Sequence, residues 1–463
     1  EALGPYGREA TITLNGSHGT REYCVQYEES DLDFVHRLLE EEGIHYLFDH
    51  SGDAERLLLG DADSGFEEVG SIPFLADHVD SDGRASIRRL RPSKRASITH
   101  SQLGDWSFLT ASAPIGDEEG EADAEFPGER REYEHGIDRK MSAAILKARA
   151  GVRHEAHLVH RTTRHGVSQA IVVRPGRIFE LTGAPTLDAD GSYLVTAVTH
   201  QPMGGGESGE GRERYRGRIS VTAPDLPFRA ARRTPAPVIE GVETAKVVGP
   251  VGEEIHPDEH GRVKVLFPWD RQGAGDETSS CWLRVEQPWA GDGWGWMFIP
   301  RMGMEVVVQF VDGNPNRPII TGCVYNGEND TPYPLPDDKT KSTIKTRSSL
   351  GGAGFNEFRF EDKAGLEQIF THAQKDFDEA ILHCHTTDVG HDQTNTVDGN
   401  QVQDVGANQT ETVQKDQTMT VMGHRTVHVK TNFEEKVGGG ETRIVRGGSK
   451  ETYDSSEKRT VIG

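Results

Sequence analysis

A chain of 463 residues has length enough for two to four domains, and 75 acidic against 51 basic side chains give a formal charge of −24, which disfavours nucleic acid and anionic lipid as partners. Hydrophobic residues make up 34% and the mean hydropathy is −0.61, polar for a globular protein yet too rich in Trp, Phe and patterned Val for disorder. The longest apolar runs, such as residues 306–310, fall far below the roughly 20 residues of a membrane span.

Glu1 is followed by no basic region and apolar run, so no secretory signal is expected and the chain reads as beginning inside a domain. Residues 23–27 read as a short strand. Ser30 followed by Asp33 then resembles a capping box with Asp in place of Glu. Phe34, Val35, Leu38 and Leu39 share one helical face until Gly43, and 44–48 is the next strand. From about 84 to 233, β-type runs such as 171–173 and 193–195 between Gly and Asp clusters predict a mostly β region. Residues 1–233 are therefore taken as a first, partial domain and 234–244, with Pro235 and Pro237, as a linker. Between 245 and 330, strands at 263–265, 282–285, 296–299, 304–310 and 319–325, with an Asp312-Gly313 turn, predict a five-stranded barrel. Residues 331–388 follow as a transition segment.

The clearest signal occupies 389–463. Val389, Val397, Val405, Val413, Val421, Val429, Val437, Val445, Tyr453 and Val461 stand eight residues apart without a slip. An even period returns one side of a strand at every repeat. One firmly apolar residue per octad is too little for a single-chain core, so other copies must supply the rest. Three copies do so if each octad forms one wall of a triangular prism and the chain turns near Gly399, Gly423, Gly439 and Gly447. These ten residues are then the structural core of an intertwined β-prism, a triple-stranded β-helix. Gln393, Gln401, Gln409 and Gln417 recur at the fifth place of four octads with the parity of the valines, and are expected inside with them.

Candidate chemistry is weak throughout. His154, His157, His160 and His165 do not have HExxH spacing and read as solvent-facing histidines on a β-surface. His383 and His385 flank Cys384 on opposite sides of a strand, and His424 and His428 have the parity opposite to the valines. Cys24, Cys281, Cys323 and Cys384 contain no CxxC pair and read as buried free thiols in a reducing compartment. The acidic Glu118, Glu119 and Glu121 have no pocket in view to shift their pKa values. No nucleophile elbow or phosphate loop is present. Trp289, Trp294 and Trp296 could stack nucleotides, but the charge is wrong for a phosphate backbone; they read as packing between barrel, hub and neighbouring chains. No catalytic residue, metal or cofactor is assigned, and the chain is not read as an enzyme.

Tyr23-Cys24-Val25-Gln26-Tyr27, Glu29 to Phe34 and Glu41-Glu42-Gly43-Ile44 resemble the hub region of the VgrG family, the valine-glycine repeat spikes of type VI secretion. Val263 to Trp269, Trp294-Gly295-Trp296, Pro300-Arg301-Met302-Gly303 and Gly313-Asn314-Pro315 resemble the same family's OB-type barrel, and the octads resemble its prism. The resemblance implies a mainly β fold: hub β-domains with a short helix, an OB-type barrel and a trimeric β-prism. It implies a homotrimer that caps a tube of Hcp rings, carries a PAAR-type tip and effectors or their adaptors, meets baseplate components and touches the target membrane transiently. It also implies synthesis in the cytoplasm, assembly at the baseplate and translocation outward or into a target cell. Two alternatives share parts of this build: the tail spike of a contractile phage or phage-derived bacteriocin, and a trimeric tailspike enzyme acting on surface polysaccharide.

Overall fold

The computed structural model describes residues 10–454 except 17, 51, 54, 78–83, 121–124, 137–141, 187–188 and 203–214. The chain divides into two units, Glu1–Asp378 and Glu379–Gly463.

The first unit begins with β1 (Ala10–Thr13), α1 (Asp31–Glu42), β2 (Ile44–Asp49) and β3 (Arg56–Asp61). Helix α1 starts where Ser30 Oγ accepts from Asp33 N–H at 3.1 Å and donates to the Asp33 carboxylate at 2.7 Å, the expected cap in its Asp form. It ends at Gly43, whose φ of 69° is left-handed and suits a residue without Cβ. The strand expected at 23–27 does not form. Val25 N–H bonds the Asn316 side chain at 2.8 Å instead of a ladder partner.

β4 (Glu67–Pro73), β5 (Ile87–Lys94), β9 (Thr162–Ser168), β10 (Arg177–Thr182), β11 (Gly191–Pro202) and β12 (Tyr215–Thr222) form a six-stranded sheet ordered β4-β10-β11-β12-β9-β5. A bridge between Phe74 and Ile87 joins its two edges and closes a barrel, which removes the exposed edges. Ile72, Ile87, Phe179, Leu181, Val195, Ile219 and Val221 fill it. Inserted between β5 and β9 are β6 (His100–Gly104), β7 (Ile115–Glu119), β8 (Arg131–His135) and α2 (Ala143–Arg161).

Helix α2 corrects the sequence reading, which placed only one short helix in this domain. Ser142 caps it by accepting from Ile145 N–H at 3.3 Å. Leu146, Ala150 and His154 recur at i, i+4 and are buried, giving the stripe that packs on a sheet. Gly116 of β7 lies so close to the Leu146 carbonyl that a Cβ there would overlap it.

The second barrel uses β13 (Glu243–Val248), β14 (Lys264–Leu266), β15 (Arg284–Val285), β18 (Glu305–Phe310) and β19 (Pro318–Val324), ordered β14-β13-β18-β19-β15. Paired backbone bonds between Val263 and Leu283, at 3.0 and 2.8 Å, close it. The five-stranded barrel stands, but β13 replaces the strand expected at 296–299. That stretch instead follows a short hairpin, β16 (Ala290–Gly291) and β17 (Trp294–Gly295). Asp312 and Gly313, with φ of 56° and 69°, make the expected turn. Arg317, just before β19's first paired residues, reaches the buried Asp105 after β6 at 3.0 Å, an ion pair shielded from water that ties this barrel to the β6–β8 sheet.

β20 (Lys341–Lys345), β21 (Glu357–Glu361) and β22 (Gln368–His372) follow as an antiparallel meander. Of the described residues 31% are strand and 8% helix, so the fold is mainly β.

Candidate functional site

Strand alternation gives the meander two unlike faces. Lys341, Thr343 and Lys345 pair across to Glu361, Arg359 and Glu357, so one face is charged. Tyr333 packs on it: its hydroxyl donates to Glu357 and accepts from Arg359 Nη1 at 2.6 Å, while the Lys341 ammonium lies 4.6 Å from its ring centroid. Thr343 Oγ1 also donates to Glu357 at 2.9 Å. Burial pushes the Glu357 pKa up, but the hydrogen bonds from Tyr333 and Thr343 outweigh it and hold the carboxyl below its usual value. The opposite face carries Ile344 opposite Phe358 and Phe360 opposite Ile369. In the single chain these four are 38% to 67% exposed.

After β22 no further strand pairing occurs among the described residues. The backbone runs in extended segments broken by paired bends at 374–375, 382–383, 390–391, 398–399, 406–407, 414–415, 422–423, 430–431, 438–439 and 446–447. The bends keep the period of eight. Val389, Val397, Val405, Val413, Val421, Val429, Val437, Val445 and Tyr453 each stand immediately before a bend, and Ile381 takes the same place one octad earlier. Val461 lies outside the described residues. These side chains are 41% to 54% exposed in the single chain, whereas Leu382, Val402 and Met422, at other octad places, are at 90% or more. The column positions are thus the most sheltered of the large apolar residues in this segment. Gln417, at the fifth place of its octad, donates to Glu411 at 2.9 Å. His383, Cys384, His385, His424 and His428 are all exposed.

The histidines of residues 154–165 lie elsewhere than expected. His154, His157 and His160 are on α2, and only His165 is on a strand. His154 is 5% exposed and, among the described residues, neither ring nitrogen has a hydrogen-bond partner. A Cβ at Gly120 would run into its ring. Burial pushes its pKa down, as it does for His160 and for His45, because a charged ring would lose its water. His157 instead meets Glu132 at 2.7 Å. Among the described residues no group of three or more His, Cys, Asp or Glu is placed to hold a metal.

Asp61, at the end of β3, accepts from the N–H groups of Asn15 at 2.6 Å and Gly16 at 2.8 Å and meets His18 Nε2 at 3.1 Å. Burial raises its pKa, but these three partners outweigh it and hold it at about 2. This arrangement closes the loop after β1. A cavity of about 400 Å³ is lined by His45, Tyr46, Phe66, Thr196 and Phe228, among others.

One other sequence reading is corrected: of the cysteines only Cys281 is buried, and Cys24, Cys323 and Cys384 are exposed. Trp289, Trp294 and Trp296 stand half-exposed in the single chain about the β16–β17 hairpin, Trp289 edge-on to Trp294 at 4.9 Å.

Three family descriptions match successive parts of the chain: "Phage tail baseplate hub (GPD)" at residues 1–204, "Type VI secretion system/phage-baseplate injector OB domain" at 247–325 and "Bacteriophage T4 gp5 C-terminal trimerisation domain" at 342–453. Among similar proteins, the type VI secretion system spike protein VgrG4b of Pseudomonas aeruginosa is 38% identical over 410 residues, 84% of this chain and 50% of the relative. Spike protein VgrG1a of the same organism is 39% identical, over 80% of this chain and 59% of the relative. The actin cross-linking toxin VgrG1 of Vibrio cholerae is 38% identical, over 82% of this chain and 35% of the relative. The chain spans about half the length of the Pseudomonas relatives. A solved E. coli component of the type VI secretion system, described as structurally similar to the T4 tail proteins gp27 and gp5, aligns with a TM-score of 0.45 and 22% identity, over 69% of this chain and 67% of that one.

Proposed function

Because the chain belongs to the VgrG family of type VI secretion spike proteins, we propose that three copies form a spike that caps a tube of Hcp rings, punctures a target envelope and carries effectors or a PAAR-type tip. The observation that carries this reading is the octad column: nine successive described residues, 389 to 453, each set before a backbone bend and each more sheltered than the other large apolar residues of the segment. Three such chains bury the column against one another, and the same segment matches a trimerisation domain. Its work is mechanical: it passes axial force from the tube to the target without buckling, because the walls of a closed prism leave no sheet edge to peel.

The described region is proposed to turn over no substrate and to need no metal or cofactor. Its curated relatives are named spike proteins, and one of which it covers 35% is named a toxin. The chain is proposed to be made in the cytoplasm, assembled at the baseplate and carried outward on firing. The test is Hcp release from a strain in which this chain is the sole spike. Deletion and Val413→Asp are expected to abolish release, and Thr412→Asp to preserve it; release undiminished by deletion would overturn the reading.

A further inference from the structure

We propose that the apolar face of β20–β22 is buried against the same face of two further copies, and that this contact sets the register in which three chains enter the octad segment. The inference rests on the trimeric reading and adds to it a device that the octads themselves lack.

The slip problem follows from the repeat. Eight column residues from Val389 to Val445 are all valine and each precedes a bend, so displacing one chain by an octad sets valine against valine again and forfeits contacts only at the ends. Strands whose faces repeat in this way specify their register weakly. Fixing it needs a non-repeating contact on the same three chains.

The meander supplies one. On its charged face Glu357 accepts from Tyr333 and Thr343 of the same chain, and Tyr333 accepts from Arg359. Its other face leaves Ile344, Phe358, Phe360 and Ile369 substantially exposed, with Phe358 and Phe360 edge-to-face at 4.9 Å. A second copy is the occupant because the matched trimerisation domain runs without interruption through both meander and octads, from 342 to 453. Side chains of unequal shape on this face fit their counterparts at one alignment only. The three strands are consecutive and antiparallel, so their pairing is local and can form early in each chain. Three finished meanders would then meet before the octads wind together.

The test uses the full chain with Cys24, Cys323 and Cys384 changed to Ser and a nitroxide on Thr412→Cys, read by dipolar electron resonance together with light scattering. The parent is expected to be a trimer with one narrow distance. Phe358→Ser with Phe360→Ser is expected to keep the trimeric mass, to add longer distances from slipped chains and to refold to trimer in severalfold lower yield. The same single distance and an unchanged yield in the double variant would overturn the inference. If the Ser pair yields monomer, Phe358→Leu with Phe360→Leu is expected to restore both mass and single distance; failure of this apolar pair to restore them also overturns it. A parent that is monomeric before any change at this face would overturn the trimeric reading itself.

Discussion

Replacing Val413 by Asp probes the inward side of the octads, with Thr412→Asp as the control one residue away and on the other side of the strand. In the single chain Val413 remains 46% exposed. If two further copies cover that remainder, roughly half of a side chain leaves water on assembly, on the order of 1 kcal/mol per copy and about 3 kcal/mol per trimer when a whole valine is worth ~1.5–3 kcal/mol. The charge matters more. An unpaired carboxylate withdrawn from water costs several kcal/mol even after relaxation, and three of equal sign would gather in one layer. Val413→Asp is therefore expected to lower the trimer's melting temperature sharply at neutral pH and to make it strongly dependent on protein concentration. Buried carboxyls escape the cost by taking up a proton, so about pH 4.5 should recover part of the loss. Thr412→Asp should change stability by no more than ~0.5 kcal/mol, as surface substitutions do. The measurement is differential scanning calorimetry at two pH values and several concentrations. Equal shifts for the two variants, or a Val413→Asp defect that acid does not relieve, would refute the inward assignment.

Asp61→Asn removes a carboxylate held at about 2 by Asn15, Gly16 and His18. Because its folded pKa is depressed, the stability it contributes is present above the unfolded value near 3.8 and is lost as pH falls toward 2. The variant should be less stable at pH 7 by on the order of 2 kcal/mol and flatter with pH in that window, measured by urea unfolding; an unchanged slope would contradict the assignment. His154→Leu replaces a buried ring whose nitrogens have no hydrogen-bond partner among the described residues. Since burial depresses its pKa, native His154 costs stability as pH falls below its unfolded value near 6.5, and the Leu variant should gain over the parent between pH 7 and pH 5 in thermal melts. An eight-residue insertion copying 405–412 before Val413 should leave a folded trimer with a shaft longer by about 4.8 Å, whereas four inserted residues put bends where walls belong and should destabilise it; equal tolerance would reduce the column to simple strand alternation.

The octads were legible because a period needs no partner to be seen: the spacing of the valines and the Gly residues that follow them marks both the sheltered positions and the bends. The second barrel was legible from its succession of short β-type runs, 304–310 among them, and the Asp312-Gly313 turn, but its closure through Val263 and Leu283 depends on a long-range pairing that no local pattern carries. Helix α2 was missed because Gly151, the arginines and the histidines blur its stripe, although Ser142 and the i, i+4 series Leu146, Ala150, His154 were available signals. The meander was missed where a signal existed: 357–361 reads Glu-Phe-Arg-Phe-Glu, a charged face and an aromatic one. The segment at 23–27 has strand-like residues but spends its Val25 N–H on a side chain, an override of propensity by tertiary contact.

The central claim, that the octad column is an interface between three copies, is tested most directly by the mass of the intact chain in solution. Light scattering across dilution to nanomolar concentration should give three times the chain mass of 51.0 kDa throughout, and a stable monomer with the valine column unaltered would contradict it.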